Sequence, residues 1–311
     1  MTTGVGGLLR GTHPALRRRL DRALAALETH SVARLRLVPR RPPIFVVGPP
    51  RSGTTALFLS LVHAYRVAVL PNVAKRHPRA PFLYAALARL TTSYRPTLAN
   101  RFGIVDQALG PSDGWEIFQR WFPAGAGPLR GDADPGELLT LARFFESLYG
   151  GPLCVRNNVN SLRIPDLSRL FPEALFVATR RDWREVAVSL CDAYAAHATP
   201  AGAWWSAGPP GYDPAALRPA LKKAVFQVSG VEAHMARELA ALAAHRRITI
   251  AYDALCEDPR AACTAVAERY AETGGALRTR ADGVAPERLQ RSTRWSQRVA
   301  ERRRELEAYR E

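Results

Sequence analysis

Lysine is almost missing from this sequence: of 44 basic residues only Lys75, Lys222 and Lys223 are lysines, and the rest are arginines. The net charge of +16 therefore reflects an arginine-rich composition as much as a function, and it favours anionic over cationic ligands. Cysteine is scarce. Cys154, Cys191, Cys256 and Cys263 show no C-x-x-C spacing, which excludes the common zinc and redox motifs. They read as buried thiols of a reducing compartment. No stretch reaches the ~18–20 apolar residues of a membrane span, and no apolar signal core precedes the first charges. A cytoplasmic protein without a transmembrane segment is expected. Internal repeats and low-complexity linkers are also missing, so neither a solenoid nor a tethered pair of domains is indicated.

What is present is a chain of 311 residues, 47% hydrophobic, enough for one large core. Residues 1–42 read as a basic helical extension and 43–311 as a single domain. From His13 to Leu37 apolar residues recur at helical spacing with arginines between, which predicts an amphipathic basic helix. Such a helix packs on its own domain or touches a membrane surface. Pro42 and Pro43 end it. Five apolar runs follow: Ile44 to Val47, Val67 to Leu70, Leu153 to Val155, Leu175 to Ala178 and Ile248 to Ala251. Helical patterns separate most of them, which predicts an α/β fold with a mainly parallel central sheet flanked by helices and ligands at the strand ends. Two segments read as irregular, "PNVAKRHPRAP" and "ATPAGAWWSAGPPGYDP".

The first run leads into "FVVGPPRSGTT", where Gly48 and Gly53 have the G-x-x-x-x-G spacing of a phosphate loop. A triphosphate-binding loop continues with lysine, yet Thr54 stands there and the cation is Arg51, ahead of the second glycine. Backbone N–H groups from Ser52 to Thr55 would face an anion at the helix start, with the Thr54 and Thr55 hydroxyls beside them. An ordinary glycine turn opening a helix would look similar.

"GPPRSGTT" resembles the 5′-phosphosulfate loop of the sulfotransferases that use 3′-phosphoadenosine 5′-phosphosulfate (PAPS), closest in motifs to the bacterial, carbohydrate and tyrosylprotein members. "RLFPEALFVATRRDWREVAVSLCDAY" is similar to the same family's 3′-phosphate segment, with Arg181 and Ser189 as its phosphate ligands. A competing reading makes Asp182 and Glu185 a helix capping box and leaves Arg181 solvated. "VRNNVNSLRI" puts Arg156 where related enzymes carry a strand-end lysine, and "ITIAYDALCEDP" puts Tyr252 in the nucleotide-facing place. The C-terminal "LQRSTRWSQR" offers Ser292 and Arg294 as residues closing over the nucleotide. The resemblance spans roughly residues 44 to 270. It implies a P-loop NTPase-like sulfotransferase fold, PAPS as cosubstrate and 3′-phosphoadenosine 5′-phosphate (PAP) as product, with no metal. Arg51 and Arg156 would stabilise charge growing on the leaving phosphate.

The family's general base has no counterpart, since "VLPN" occupies its place. His77 and Glu116 are the candidates, and neither is preferred. Trp204, Trp205 and Tyr212, with the Asn72 to Pro81 loop, suggest an acceptor pocket for a small-molecule, carbohydrate or lipid-like hydroxyl; the two tryptophans fit equally well as core. The alternatives are a P-loop nucleotide-dependent kinase or NTPase, which lacks its lysine here, a non-catalytic polyanion-binding protein, and a sulfotransferase-like protein without turnover. Nucleic acid is not an expected partner, because no basic face interleaved with aromatics occurs.

Overall fold

The computed structural model describes residues 14–94, 105, 107–123, 127–281, 289–290 and 294–310. Its sheet has four parallel strands, β1 (Ile44–Val47), β2 (Cys154–Arg156), β3 (Leu175–Arg180) and β4 (Arg247–Ala251), in the spatial order β2-β1-β3-β4. The central strand β1 is buried along its whole length, as expected for a parallel strand covered on both faces. Its side chains alternate between two cores. Phe45 and Val47 join Val155, Phe176 and Ala178 on one face, whereas Ile44 and Val46 join Cys154, Leu175 and Val177 on the other. The chain leaves β1 towards β2 and later returns to its other side as β3. That reversal opens a crevice at the carboxyl ends of β1 and β3, the usual ligand position in such sheets.

Helix α1 (Pro14–Leu35) precedes the sheet; then come α2 (Thr54–Ala64), α3 (Asn72–Arg76), α4 (Pro81–Thr91), α5 (Trp115–Phe118) and α6 (Pro135–Tyr149). A 3₁₀ turn (Asn158–Leu162) and α7 (Ile164–Leu170) join β2 to β3. After β3 come α8 (Trp183–Ala196) and α9 (Ala220–Ala240), and after β4 come α10 (Tyr252–Glu257), α11 (Pro259–Ala271), α12 (Arg294–Glu301) and α13 (Arg303–Ala308).

Three sequence expectations change in detail. The run Val67 to Leu70 forms no ladder; Ala68 makes a single parallel bridge to Leu153. Its backbone is divided among three partners, since the Arg66 N–H donates to Arg278, Ala68 bonds the β2 edge, and the Leu70 carbonyl accepts from Ser112. The segment after Pro71 is partly regular, because Asn72–Arg76 is α3. Helix α1 ends at Leu35 and packs on α4 and α6, with residue 13 outside the described set. Its Glu28 is buried and accepts from the Phe82 and Leu83 N–H groups, at 3.3 and 2.9 Å, at the start of α4. A carboxylate there satisfies orphan donors and opposes the positive end of the helix dipole.

Candidate active site

The loop from Gly48 to Gly53 is built around close approaches. A Cβ on Gly48 would lie 2.4 Å from Thr179 Oγ1 and 2.7 Å from Ser52 Oγ, and one on Gly53 would lie 2.3 Å from the Tyr252 ring. Gly53 also has φ +101°, and Arg51 between them has φ +73°, a left-handed conformation unusual for arginine. Ser52 faces inward, with its Oγ bonded to the Pro49 carbonyl and to Thr179 Oγ1 at 2.7 Å each. No side chain caps the start of α2, so its first N–H groups open onto a pocket of about 170 Å³.

That pocket gathers residues from distant parts of the chain. Arg51, Gly53, Thr54 and Thr55 come from the loop and α2, Arg156 from the end of β2, Arg181 from the end of β3 and Tyr252 from the start of α10. Its described lining holds three guanidinium groups, two threonine hydroxyls and no carboxylate. Burial pushes the Arg51 guanidinium below its ordinary range, and neighbouring Arg181 adds to the effect. Burial also lowers Arg156, with Asp113 opposing. Both stay charged, since guanidinium begins so far above neutrality. Three guanidinium groups converging on a partly dry pocket whose described lining holds no carboxylate favour an anion. Burial pushes the Tyr252 phenol up to about 12, so it stays protonated.

The two expected phosphate segments touch each other. Arg51 Nε donates to Ser189 Oγ on α8 at 3.0 Å, and Arg181 Nη1 donates to the Arg51 carbonyl at 3.3 Å. Arg181 is not solvated. Its side chain is 7% exposed, lies 4.4 Å over the Tyr252 ring, and donates from Nε and Nη2 to Glu185 Oε2 at 3.0 and 2.7 Å. Asp182 does cap α8, accepting from the Arg184 N–H at 2.9 Å, but Glu185 turns inward instead of completing a capping box. The other Glu185 oxygen accepts from Ser296 on α12 at 2.7 Å.

Sequence reasoning missed the polar residues after β2. Asn158 donates to the Gly48 carbonyl at 2.9 Å and to Thr54 Oγ1 at 3.3 Å, and Ser161 Oγ accepts from the Gly48 N–H at 2.8 Å. The signal was the run of asparagines straight after a strand. A second cavity of about 320 Å³ shares Arg156, Asn158 and Trp205 with the anion pocket. Asp113, Trp115, His197 and Trp204 line it too, and of these only Trp204 was foreseen. Burial opposes ionisation of Asp113, but the charges of Arg156 and Lys75, with hydrogen bonds from Lys75 and the Trp115 N–H, hold its carboxyl below the usual range.

Other expected residues lie elsewhere. His77 stacks on Tyr84 at 3.6 Å between ring centroids, lies 3.4 Å from Asp21, and lines a different cavity between α1 and α4. Glu116 lines neither site cavity and faces Lys75 at 3.7 Å. Tyr212 packs edge-on against Phe226, outside the cavity of Trp204 and Trp205. Arg294 pairs with Asp192 of α8 at 2.9 Å and does not line the anion pocket. Ser292 lies outside the described residues.

A parallel sheet whose first strand ends in a glycine loop, an uncapped helix and a cluster of arginines defines an α/β protein with an anion-binding loop. Residues 42–271 match the family model described as the Sulfotransferase family, and the chain belongs to that family. Among solved structures it is similar to sulfotransferase STF1 from Mycobacterium tuberculosis H37Rv, at 16% identity over 90% of this chain and 76% of that one, with a TM-score of 0.53. It is also similar to sulfotransferase STF9 from Mycobacterium avium, at 17% identity over 92% and 81% of the two chains, with a TM-score of 0.52. At these identities the likeness concerns the fold. Comparison with curated proteins gives no match.

Proposed function

We propose that this sulfotransferase moves a sulfuryl group from PAPS to a hydroxyl of a small-molecule, carbohydrate or lipid-like acceptor. The observation that carries the reading is the anion pocket lined by Arg51, Arg156 and Arg181 with no carboxylate, at the uncapped start of α2. That donor set fits a phosphosulfate. Arg51, the Thr54 and Thr55 hydroxyls and the first N–H groups of α2 would hold the 5′ end, while Arg181 and Ser189 would hold the 3′-phosphate beside Tyr252. When bound, PAPS supplies the sulfuryl group. Arg156, buried at the end of β2, stabilises negative charge at the 5′ end and cannot give up a proton near neutrality.

A thermal-shift panel tests this, because a ligand that binds only the folded state raises apparent stability according to its affinity. PAP without magnesium should raise Tm clearly more than 5′-AMP or ATP. An equal shift with ATP and magnesium would restore the kinase or NTPase reading, and displacement of PAP by heparin alone would favour a general polyanion binder.

A peripheral membrane contact and a cytoplasmic setting belong to the same proposal. No described helix is long and apolar enough to cross a membrane. Leu16, Leu20 and Leu27 of α1 are exposed and fall on one helical face, with Arg18, Arg19 and Arg22 exposed around them. Such a surface suits anionic lipid. The protein should co-sediment with phosphatidylglycerol-containing vesicles and not with pure phosphatidylcholine, and a Leu16, Leu20, Leu27→Ser variant should stay in solution. Equal behaviour of the two proteins would remove α1 from the account.

A further inference from the structure

The anion pocket and the 320 Å³ cavity meet at Arg156, Asn158 and Trp205, so a molecule in the cavity borders the place where charge is handled. Part of the cavity wall is aromatic, and the rest is polar. Trp115, Trp204 and Trp205 supply indoles, and the His197 ring stacks on Trp205 with centroids 5.4 Å apart and planes 25° from parallel. Among the described residues Asp113 is the one carboxylate in the lining. Its Oδ1 accepts from Lys75 Nζ at 3.0 Å and from the Trp115 N–H at 3.2 Å. Its Oδ2 accepts no hydrogen bond from any described residue, and 31% of the side chain remains exposed. The cavity therefore offers stacking faces and one open, fixed carboxylate oxygen beside Arg156.

We propose that this cavity is the acceptor subsite, that it takes a phenolic hydroxyl, and that Asp113 receives the hydroxyl proton. The inference rests on the sulfotransferase reading above. A planar ring packs on indole surfaces with little loss of conformational freedom and gains offset or edge contacts. The acidity of the hydroxyl points the same way. A carboxylate held ionised by Lys75 and Arg156 is a weak base, which suits a phenol with a pKa of about 10 far better than an aliphatic alcohol. In the step itself the acceptor oxygen forms a bond to sulfur while the bond from sulfur to the bridging 5′-phosphate oxygen breaks. The electron pair of that bond stays on the phosphate, giving PAP. The phenolic proton passes to Asp113 Oδ2 and then to solvent, so the anionic sulfate ester, PAP and one released proton balance the reactants in atoms and charge. His197 touches the same cavity, but its ring is engaged face-on with Trp205, and we give it a wall's role.

The test uses the full chain, PAPS, and an acceptor panel of 4-nitrophenol, 4-methylphenol, cyclohexanol and glucose. Both phenols should exceed cyclohexanol and glucose by at least about 100-fold in kcat/KM. Asp113→Asn keeps the acceptor for the Trp115 N–H, so it should fold, retain the PAP-induced rise in Tm, and still show tryptophan quenching by 4-nitrophenol in the presence of PAP. Its kcat should fall by roughly 100-fold with 4-methylphenol and less with the more acidic 4-nitrophenol. The wild-type rate should be flat between about pH 5 and 8, because Asp113 stays ionised throughout that range. An acid limb in that range that disappears in His197→Ala would overturn the assignment of Asp113. A preference for glucose or cyclohexanol, with the PAP shift intact, would overturn the phenol subsite and leave the sulfotransferase reading standing. Absence of a PAP shift in the wild type would sink both.

Discussion

Arg181 and Glu185 form a buried ion pair inside a site that is expected to receive a phosphate. Removing one member of such a pair strands the other in a dry environment, at a cost of about 3–5 kcal/mol. Arg181→Ala alone should therefore lower Tm for a reason unrelated to the nucleotide. The double variant Arg181→Ala, Glu185→Gln neutralises the stranded carboxylate and should recover much of that loss. In both variants the preference for PAP over 5′-AMP should shrink, because the charge-assisted contact to the 3′-phosphate is gone. Isothermal titration of the two nucleotides reads this directly, and an undiminished preference in the double variant would take the 3′-phosphate away from Arg181. Arg181 was legible in the sequence, since a strand-end arginine and a serine two helical turns on form a recognisable pair. Glu185 was legible only as a capping residue. Its inward turn depends on Arg181 and Ser296, and Ser296 is 111 positions away in the sequence.

At the scale of elements, α1 is tied to α4 through Glu28, and this joint has a pH dependence. Burial raises the Glu28 pKa above its ordinary 4.5, against the hydrogen bonds from Leu83 and Phe82 and the charge of Arg120. The folded state then binds the proton more tightly than the unfolded chain. The contribution to stability is complete below about pH 4.5 and is lost as pH rises through the folded value. Glu28→Gln removes the titration, so its Tm should fall less than the wild type's as pH rises above about 4.5, as read by differential scanning calorimetry. Identical slopes would mean that folding leaves the Glu28 carboxyl unshifted. The basic helix itself was visible from spacing, whereas its docking was not, because a single glutamate among arginines gives no hint of the helix end it meets. The strand runs differ in the same way. The runs Ile44 to Val47 and Leu175 to Ala178 were legible because each is fully apolar and leads into a segment with its own chemistry. Val67 to Leu70 is also apolar and fails as a ladder because its hydrogen bonds are divided, Ala68 bonding the β2 edge and the Leu70 carbonyl accepting from the Ser112 N–H, with Pro71 bridged to Pro111. The hydrogen bond from Lys75 to Asp113 joins residues 38 positions apart, a contact that sequence spacing alone does not show.

For the whole molecule, a net charge of +16 sets up a field that draws anions towards a pocket already short of negative charge. Stopped-flow association of PAP should slow several-fold between about 20 and 200 mM salt, while dissociation changes less. A salt-independent association rate would mean that only local contacts matter. The anion pocket and the aromatic cavity are carried by different kinds of structure. Arg156 and Arg181 sit at strand ends and the loop closes on α2, so their positions are set by the sheet. Trp204 and Trp205 sit on a segment with neither helix nor strand. It is fastened by Lys223 Nζ, which donates to the Ala201 and Ala203 carbonyls, and by Gln227 Nε2, which donates to those of Trp205 and Ala207. Two side chains of one helix thus hold up most of one wall. In evolutionary terms the anion pocket is locked to the fold, while the aromatic cavity can be rebuilt by insertion or replacement between residues 199 and 213 with α9 left in place.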